Sequence, residues 1–310
     1  MTPTPSRILD VSGAGRPFGA VRRPRRGFAA LRGIQGARRM VQTSVLALVA
    51  AIAINRALAA ASGPAATSPE AVCPFGGLET LATFLTTGAF VPHVHAANVV
   101  LAAAVLLLAV LARGAFCGWV CPLGFLQDLM AGAGAAVQRR VPAAHRAMRA
   151  LGARARPLAI LDRPLRLAKY AVLAWALWGT AALGVMVFRD ADPWIALLDI
   201  GTASAGFGAA VLAVTVVGAL FVDRPWCRYA CPLGAANGLL ARLSPVRPER
   251  SESACVNCNL CTRSCPMGID VAKAAKVTSP DCIGCLECVE ACPRAGALEL
   301  HVGLPIGAQA

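Results

Sequence analysis

The stretches CVNCNLCTRSCP (residues 255–266) and CIGCLECVEACP (residues 282–293) repeat one spacing, Cys-x2-Cys-x2-Cys-x3-Cys-Pro. Three closely spaced thiolates grip three irons on one face of a cubane, and a more distant cysteine closes the fourth corner. This is the bacterial pattern for a pair of [4Fe–4S] clusters, in which the fourth cysteine of each run ligates the other run's cluster. The expected sets are Cys255, Cys258, Cys261 and Cys292 for one cluster, and Cys282, Cys285, Cys288 and Cys265 for the other. Zinc ribbons use two pairs farther apart, and a disulfide framework has no reason to repeat this run. Residues 244–300 therefore read as an α+β ferredoxin-type domain that carries electrons, with a short tail at 301–310.

The chain upstream of that domain has a different character. Over all 310 residues 57% are hydrophobic and 15% charged, with a mean hydropathy of +0.60. Spans of about 20 apolar residues are what a bilayer crossing requires. Four are expected, at 41–61, 96–112, 168–188 and 205–222. The first contains Arg56, near one end and placed to snorkel to the interface. Nine arginines precede the first span, ten Lys/Arg lie in 113–169 and nine follow the fourth span, whereas 62–95 has none and 189–204 has only Arg189. Basic segments stay in the cytoplasm. Both termini, the middle loop and the cluster domain are therefore expected inside the bacterial inner membrane, where a reducing compartment suits cluster thiols.

The expected fold is an all-α polytopic membrane protein of four transmembrane helices with a C-terminal α+β 2[4Fe–4S] ferredoxin domain. Its parts are a basic, disordered tail (1–40), a membrane domain (41–243) and the cluster domain. Arg25-Arg26 ahead of an apolar run faintly resembles an export signal, but an uncleaved first span fits the charge pattern better. The net charge of +14 sits largely beside the spans. It reads as topology signal and attraction to anionic lipid, not as a nucleic-acid surface.

Spans two and four each run into a matching motif, FCGWVCPLG (116–124) and WCRYACPLG (226–234). Two copies at equivalent places indicate two similar halves. The i, i+4 spacing puts both thiols of a pair on one face of a helical segment, and the proline after each second cysteine marks a helix start. Cys117, Cys121, Cys227 and Cys231 admit three readings: a tetrathiolate site for a third iron–sulfur centre or a soft metal, two dithiol pairs, or free cysteines packed in an apolar interface.

The thirteenth cysteine, Cys73, stands apart in CPFGGLE (73–79), either as a buried thiol or as part of a site built with other loops. Glu79, His93 and His95 share its loop. A carboxylate and imidazoles beside a membrane are what quinol oxidation needs, since protons must leave with the electrons. They are the candidate catalytic residues, with quinone as substrate. No span carries an internal histidine, which argues against a haem between helices.

The order of spans, two CxxxCPLG motifs and a paired-cluster module resembles the NapH/NosR group of membrane polyferredoxins over about residues 40–300. The resemblance implies quinol oxidation at the membrane and electron delivery from the quinone pool to another redox protein. NosR-type members carry a periplasmic flavin domain for which the loop 62–95 has no room, so the nitrate-type and methylamine-type members are closer in size. Two other functions are weighed against the conduit: a metal-handling or maturation factor that supplies reducing electrons to another enzyme, and a redox-sensing regulator.

Overall fold

A computed structural model describes residues 33–62, 73–88, 96–143, 146, 162, 164–199 and 206–303. The N-terminal residues 1–32, with Arg25-Arg26, and the last seven lie outside them, as do His93 and His95. Helix α1 (Ile34–Ser62) is 29 residues, about 44 Å at 1.5 Å per residue. It begins inside the stretch assigned to the tail. Among the described residues it is the one helix long and apolar enough to cross a membrane. Helix α3 (Ala96–Ala112) coincides with the second expected span. The helices at the third and fourth, α5 and α7 below, are shorter than expected.

Helix α2 (Pro74–Thr87) occupies what the sequence suggested was an outer loop. It starts on a proline, which suits a first helical position, and ends on Gly88 in the left-handed region. Thr80, Thr83 and Thr87 each turn their hydroxyl back to the carbonyl four residues earlier, so these hydroxyls are satisfied within the helix. It packs on α3 closely enough that a Cβ at Gly77 would meet the Asn98 carbonyl at 2.0 Å. After α3 come a π-turn (Phe116–Val120) and helix α4 (Pro122–Arg140).

Helix α5 (Ala168–Leu183) stops at Gly184, whose φ of +70° only glycine adopts without strain. The chain then folds back along α5. Val187 donates its N–H to the Thr180 hydroxyl at 3.4 Å, and Phe188 lies 6.4 Å from Trp175, ring to ring. Helix α6 (Pro193–Leu198) leads outward again, followed by α7 (Phe207–Ala219), α8 (Pro225–Tyr229) and α9 (Pro232–Leu240). At 13 residues α7 is about 20 Å long.

The two halves match beyond the cysteine motifs. Helices α2, α3 and α4 correspond to α6, α7 and α9, and their first helices both begin as X-Pro-aromatic: Cys73-Pro74-Phe75 and Asp192-Pro193-Trp194. The two N-cap residues meet in the core, where the Cys73 thiol points at the Asp192 carboxylate 3.5 Å away. Arg56 does not snorkel. It is 8% exposed and pairs with Asp199 at 2.7 Å, because α6 presents a carboxylate at its C-terminal end.

The C-terminal domain is closed by a two-stranded antiparallel sheet, β1 (Val246–Arg250) with β2 (Leu298–Val302), pairing Val246 with Val302 and Arg250 with Leu298. Between them lie short helices α10 (Leu260–Ser264) and α11 (Glu287–Glu290). Its core of Cys265, Met267, Val271, Val277, Ile283, Cys285, Cys288 and Leu298 also touches Cys117 and Cys227. The cluster domain is thus packed directly on the cysteine turns of the helical domain.

Candidate functional site

The two CxxxCP turns are brought together by the repeat. Each second cysteine is the N-cap of a proline-initiated helix, α4 or α9. All four thiols lie inside the protein within electrostatic reach of one another. Asn237 Nδ2 donates to Cys117 Sγ at 3.4 Å, Gln127 Nε2 to Cys227 Sγ at 3.4 Å, and the Gly234 N–H to Cys231 Sγ at 3.2 Å. Arg224, with no exposed surface, donates to the Cys117 carbonyl and holds Asp128 through two nitrogens at 2.9 and 2.7 Å. Half-buried thiols flanked by N–H donors and a guanidinium suit an anionic sulfur-bound centre, which burial would otherwise penalise. Among the described residues no three His, Cys, Asp or Glu side chains converge on a single ion.

Against this site sits the loop of the second cysteine run. Trp119 Nε1 donates to the Gly284 carbonyl at 3.0 Å, Gln35 Nε2 to the Cys285 carbonyl at 2.7 Å, and Arg113 to the Ser279 carbonyl at 2.9 Å. Asp281 takes Lys169 and Arg166, which ties the loop to α5 and the segment before it. Behind that pair, Asp162 receives Arg166, Arg228 and the Tyr229 hydroxyl, the last at 2.6 Å. Burial opposes the Asp162 charge, but Arg228, Tyr229 and Arg166 outweigh it and hold the carboxyl below its ordinary range.

The approach is so close that a Cβ at Gly118 would stand 2.3 Å from the Ile283 carbonyl. Gly118→Ala is therefore expected to cost about 1–3 kcal/mol, the range for overpacking a well-fitted contact. A lowered thermal midpoint and faster hydrogen exchange at 282–286 check this. Unchanged exchange there counts against a tight dock.

Cys255, Cys258, Cys261 and Cys292 line one cavity at the far side of the domain, with Pro293 and Arg294. This set faces outward, Cys258 being exposed, whereas Cys265, Cys285 and Cys288 are buried toward the helical domain. Protonation follows position. Burial pushes the Cys285 thiol up to about 12, while the Asn257 N–H beside Cys255 draws that thiol down. The three groups of sulfurs form a series: the CxxxCP turns inside, the second run against them, the first run at the surface.

Glu79 is fully buried, not set in an aqueous loop. Its Oε1 accepts from Thr180 at 2.8 Å, and its Oε2 has no partner among the described residues. His93 and His95 lie outside the described residues. From the Cys73 end of α2 a run of rings leads to the cysteine turns: Phe75 meets Phe188 edge-on at 5.4 Å, and Phe188 stacks on Trp226 at 6.2 Å. Trp226 precedes Cys227 in the chain.

Sequence reasoning missed Gln127, Asn237 and Arg224. The amides did leave a signal, since each stands five residues beyond the Cys-Pro proline of its own half.

A family profile described as "4Fe-4S binding domain" matches twice, at residues 94–142 and 204–250, one match per half. Another, described as "4Fe-4S dicluster domain", matches 247–293. YccM of Escherichia coli, described as an electron transport protein, is 32% identical over 76% of this chain and 64% of its own length. The ferredoxin-type protein NapH of Haemophilus influenzae is 32% identical over 64% of this chain and 67% of its own length. The regulatory protein NosR of Pseudomonas aeruginosa is 30% identical over 57% of this chain but only 23% of its own length. The chain thus spans about two thirds of the first two relatives and under a quarter of the third. No solved structure matches. Repeated iron–sulfur profiles laid over these cysteine turns, a dicluster profile over the paired runs, and a NapH 32% identical over two thirds of its own length place this chain in the NapH/NosR-type polyferredoxin family.

Proposed function

We propose that this chain is a four-span membrane electron conduit with both termini in the cytoplasm, passing electrons between the quinone pool and a redox partner, as a NapH-like quinol dehydrogenase component. The observation that carries it is the docking of the second cysteine run onto the CxxxCP turns, which strings three sulfur sets from the bundle interior to the surface. Cys282, Cys285, Cys288 and Cys265 would hold one [4Fe–4S] cluster, and Cys255, Cys258, Cys261 and Cys292 a second. Cys117, Cys121, Cys227 and Cys231 would hold a third centre. Clusters of this kind supply single-electron transfer, which divides the two-electron chemistry of quinol.

The chain's own residues do the rest. The apolar faces of α1, α3, α5 and α7 present to lipid, while buried amides and cations keep the inner sulfurs in a dry, fixed setting. Glu79 supplies a buried proton acceptor beside Thr180, and His93 and His95 are assigned to the same proton path. The Phe75–Phe188–Trp226 run supports a short path between that region and the cysteine turns, where an empty hydrocarbon core of ~30 Å would otherwise intervene.

Anaerobically purified protein in detergent is expected to contain about twelve irons per chain, four per cubane. Its electron paramagnetic resonance signals of reduced cluster should grow on adding a short-chain quinol. An iron-loaded protein that quinol leaves oxidised sinks the conduit and favours a maturation role.

A further inference from the structure

Gln127 and Asn237 stand at the same place in the two halves and reach across to the opposite half. Gln127, on α4, donates to Cys227, and Asn237, on α9, donates to Cys117, both at 3.4 Å. Neither amide is exposed beyond 2%. The Gln127 amide is fixed in orientation: its Oε1 accepts from the Trp226 N–H at 3.1 Å, and its Nε2 also serves the Leu123 carbonyl at 3.1 Å. Asn237 lacks that support, since its Oδ1 is buried without a partner among the described residues. A buried amide that leaves its own oxygen unpaired while pointing its NH2 at a sulfur is held there by the sulfur.

We propose that Gln127 and Asn237 are positioning residues that set the reduction potential of the centre at the CxxxCP cysteines, raising it by donating to one sulfur from each half. This rests on the reading that these cysteines hold a redox centre. Added electron density at such a centre spreads onto its sulfurs, so an N–H donor stabilises the reduced form more than the oxidised form. The two donors are not equivalent. Gln127 also accepts from the backbone N–H of Trp226 in the first turn of α8, so its loss disturbs backbone, whereas among the described residues the Asn237 side chain hydrogen-bonds only to the Cys117 sulfur.

The test is a potentiometric titration of the full-length protein in detergent, followed by electron paramagnetic resonance. Asn237→Leu removes the donor at nearly constant volume, and its third-centre midpoint is expected to move down while both ferredoxin-type midpoints stay in place. Gln127→Glu keeps the acceptor for the Trp226 N–H, removes the donor to Cys227 and is expected to move the same midpoint in the same direction. A midpoint that stays in place in both iron-replete variants overturns the inference and leaves the third centre standing. A wild-type chain with about eight irons and no third signal overturns the parent reading and this one with it. Should a variant lose its iron, hyperfine spectroscopy of the wild-type reduced centre decides. Coupling to the 15N of labelled asparagine and glutamine amides supports the proposal, and its absence overturns it.

Discussion

Cys117→Ser is expected to abolish the signal of the third centre and lower iron from about twelve to about eight per chain, four per cubane, with both ferredoxin-type signals intact. Cys117 stands at the junction of the halves: it accepts from Asn237, its carbonyl takes Arg224, and its side chain packs on the core of the cluster domain. Serine keeps the shape closely enough that the Arg224 and Asn237 contacts survive, so the loss is chemical and not a collapse. The control is Cys258→Ser. Cys258 is exposed at the far end of the domain, where it lines the cavity of the first run. Its replacement should remove one ferredoxin-type cluster and spare the third centre. Iron analysis with parallel electron paramagnetic resonance reads both variants. Loss of the ferredoxin-type signals in Cys117→Ser means that the turns and the runs are one site, and the assignment of three separate sulfur sets fails.

Cysteine spacing was legible in the sequence because a cubane imposes it chemically; the dicluster profile covers the two runs, and the repeated profile covers the CxxxCP turns. The apolar stretch 96–112 was equally legible, since hydropathy reports a helix that lies wholly within one apolar run. At 168–188 the same signal overran the helix. Val185, Met186, Val187 and Phe188 are apolar, yet Gly184 turns the chain back, so that Met186, Val187 and Phe188 pack against α5 and α2. Hydropathy cannot distinguish a helix that continues from one that reverses within the same apolar surroundings. Helix α2 escaped notice for the opposite reason. Its threonines look like loop residues until each hydroxyl is seen satisfied within the helix.

Charge was only half read. Counting arginines by segment treats them as solvent-facing topology signals, but Arg38, Arg113 and Arg224 are between 0 and 3% exposed. Their role comes from tertiary contacts between residues 90 or more positions apart, as in Arg38 to Asp128 at 2.7 Å and Arg224 to the Cys117 carbonyl at 2.8 Å. Nothing local in the sequence marks those pairs. Matching the halves residue by residue past the Cys-Pro prolines would have aligned Gln127 with Asn237.

Arg38→Met is expected to destabilise the docked assembly by about 3–5 kcal/mol, the cost of breaking a buried ion pair by removing one partner. Arg38 is 3% exposed and every branch of its guanidinium is used. Nε donates to the Gly118 carbonyl at 2.7 Å, Nη1 to Glu287 at 2.6 Å and to Gln35 at 2.9 Å, and Nη2 to Asp128 at 2.7 Å. One side chain of α1 thus joins the π-turn, α4 and the helix of the second cysteine run. Asp128 retains Arg224 after the substitution, so the main loss falls on Glu287 and on the join to the cluster domain. Lysine is a poor substitute, because one ammonium cannot serve the four acceptors that the planar fork reaches. Pairing Arg38→Met with Glu287→Gln should recover part of the loss by removing the carboxylate that Arg38 neutralises, a coupling that a double-mutant cycle measures. High salt should leave the effect in place, since the pair is shielded from solvent. Thermal unfolding in detergent and hydrogen exchange over 282–290 supply the readout. If Arg38→Met melts with the parent and exchanges at the parent rate, the cluster domain is held by something other than this guanidinium.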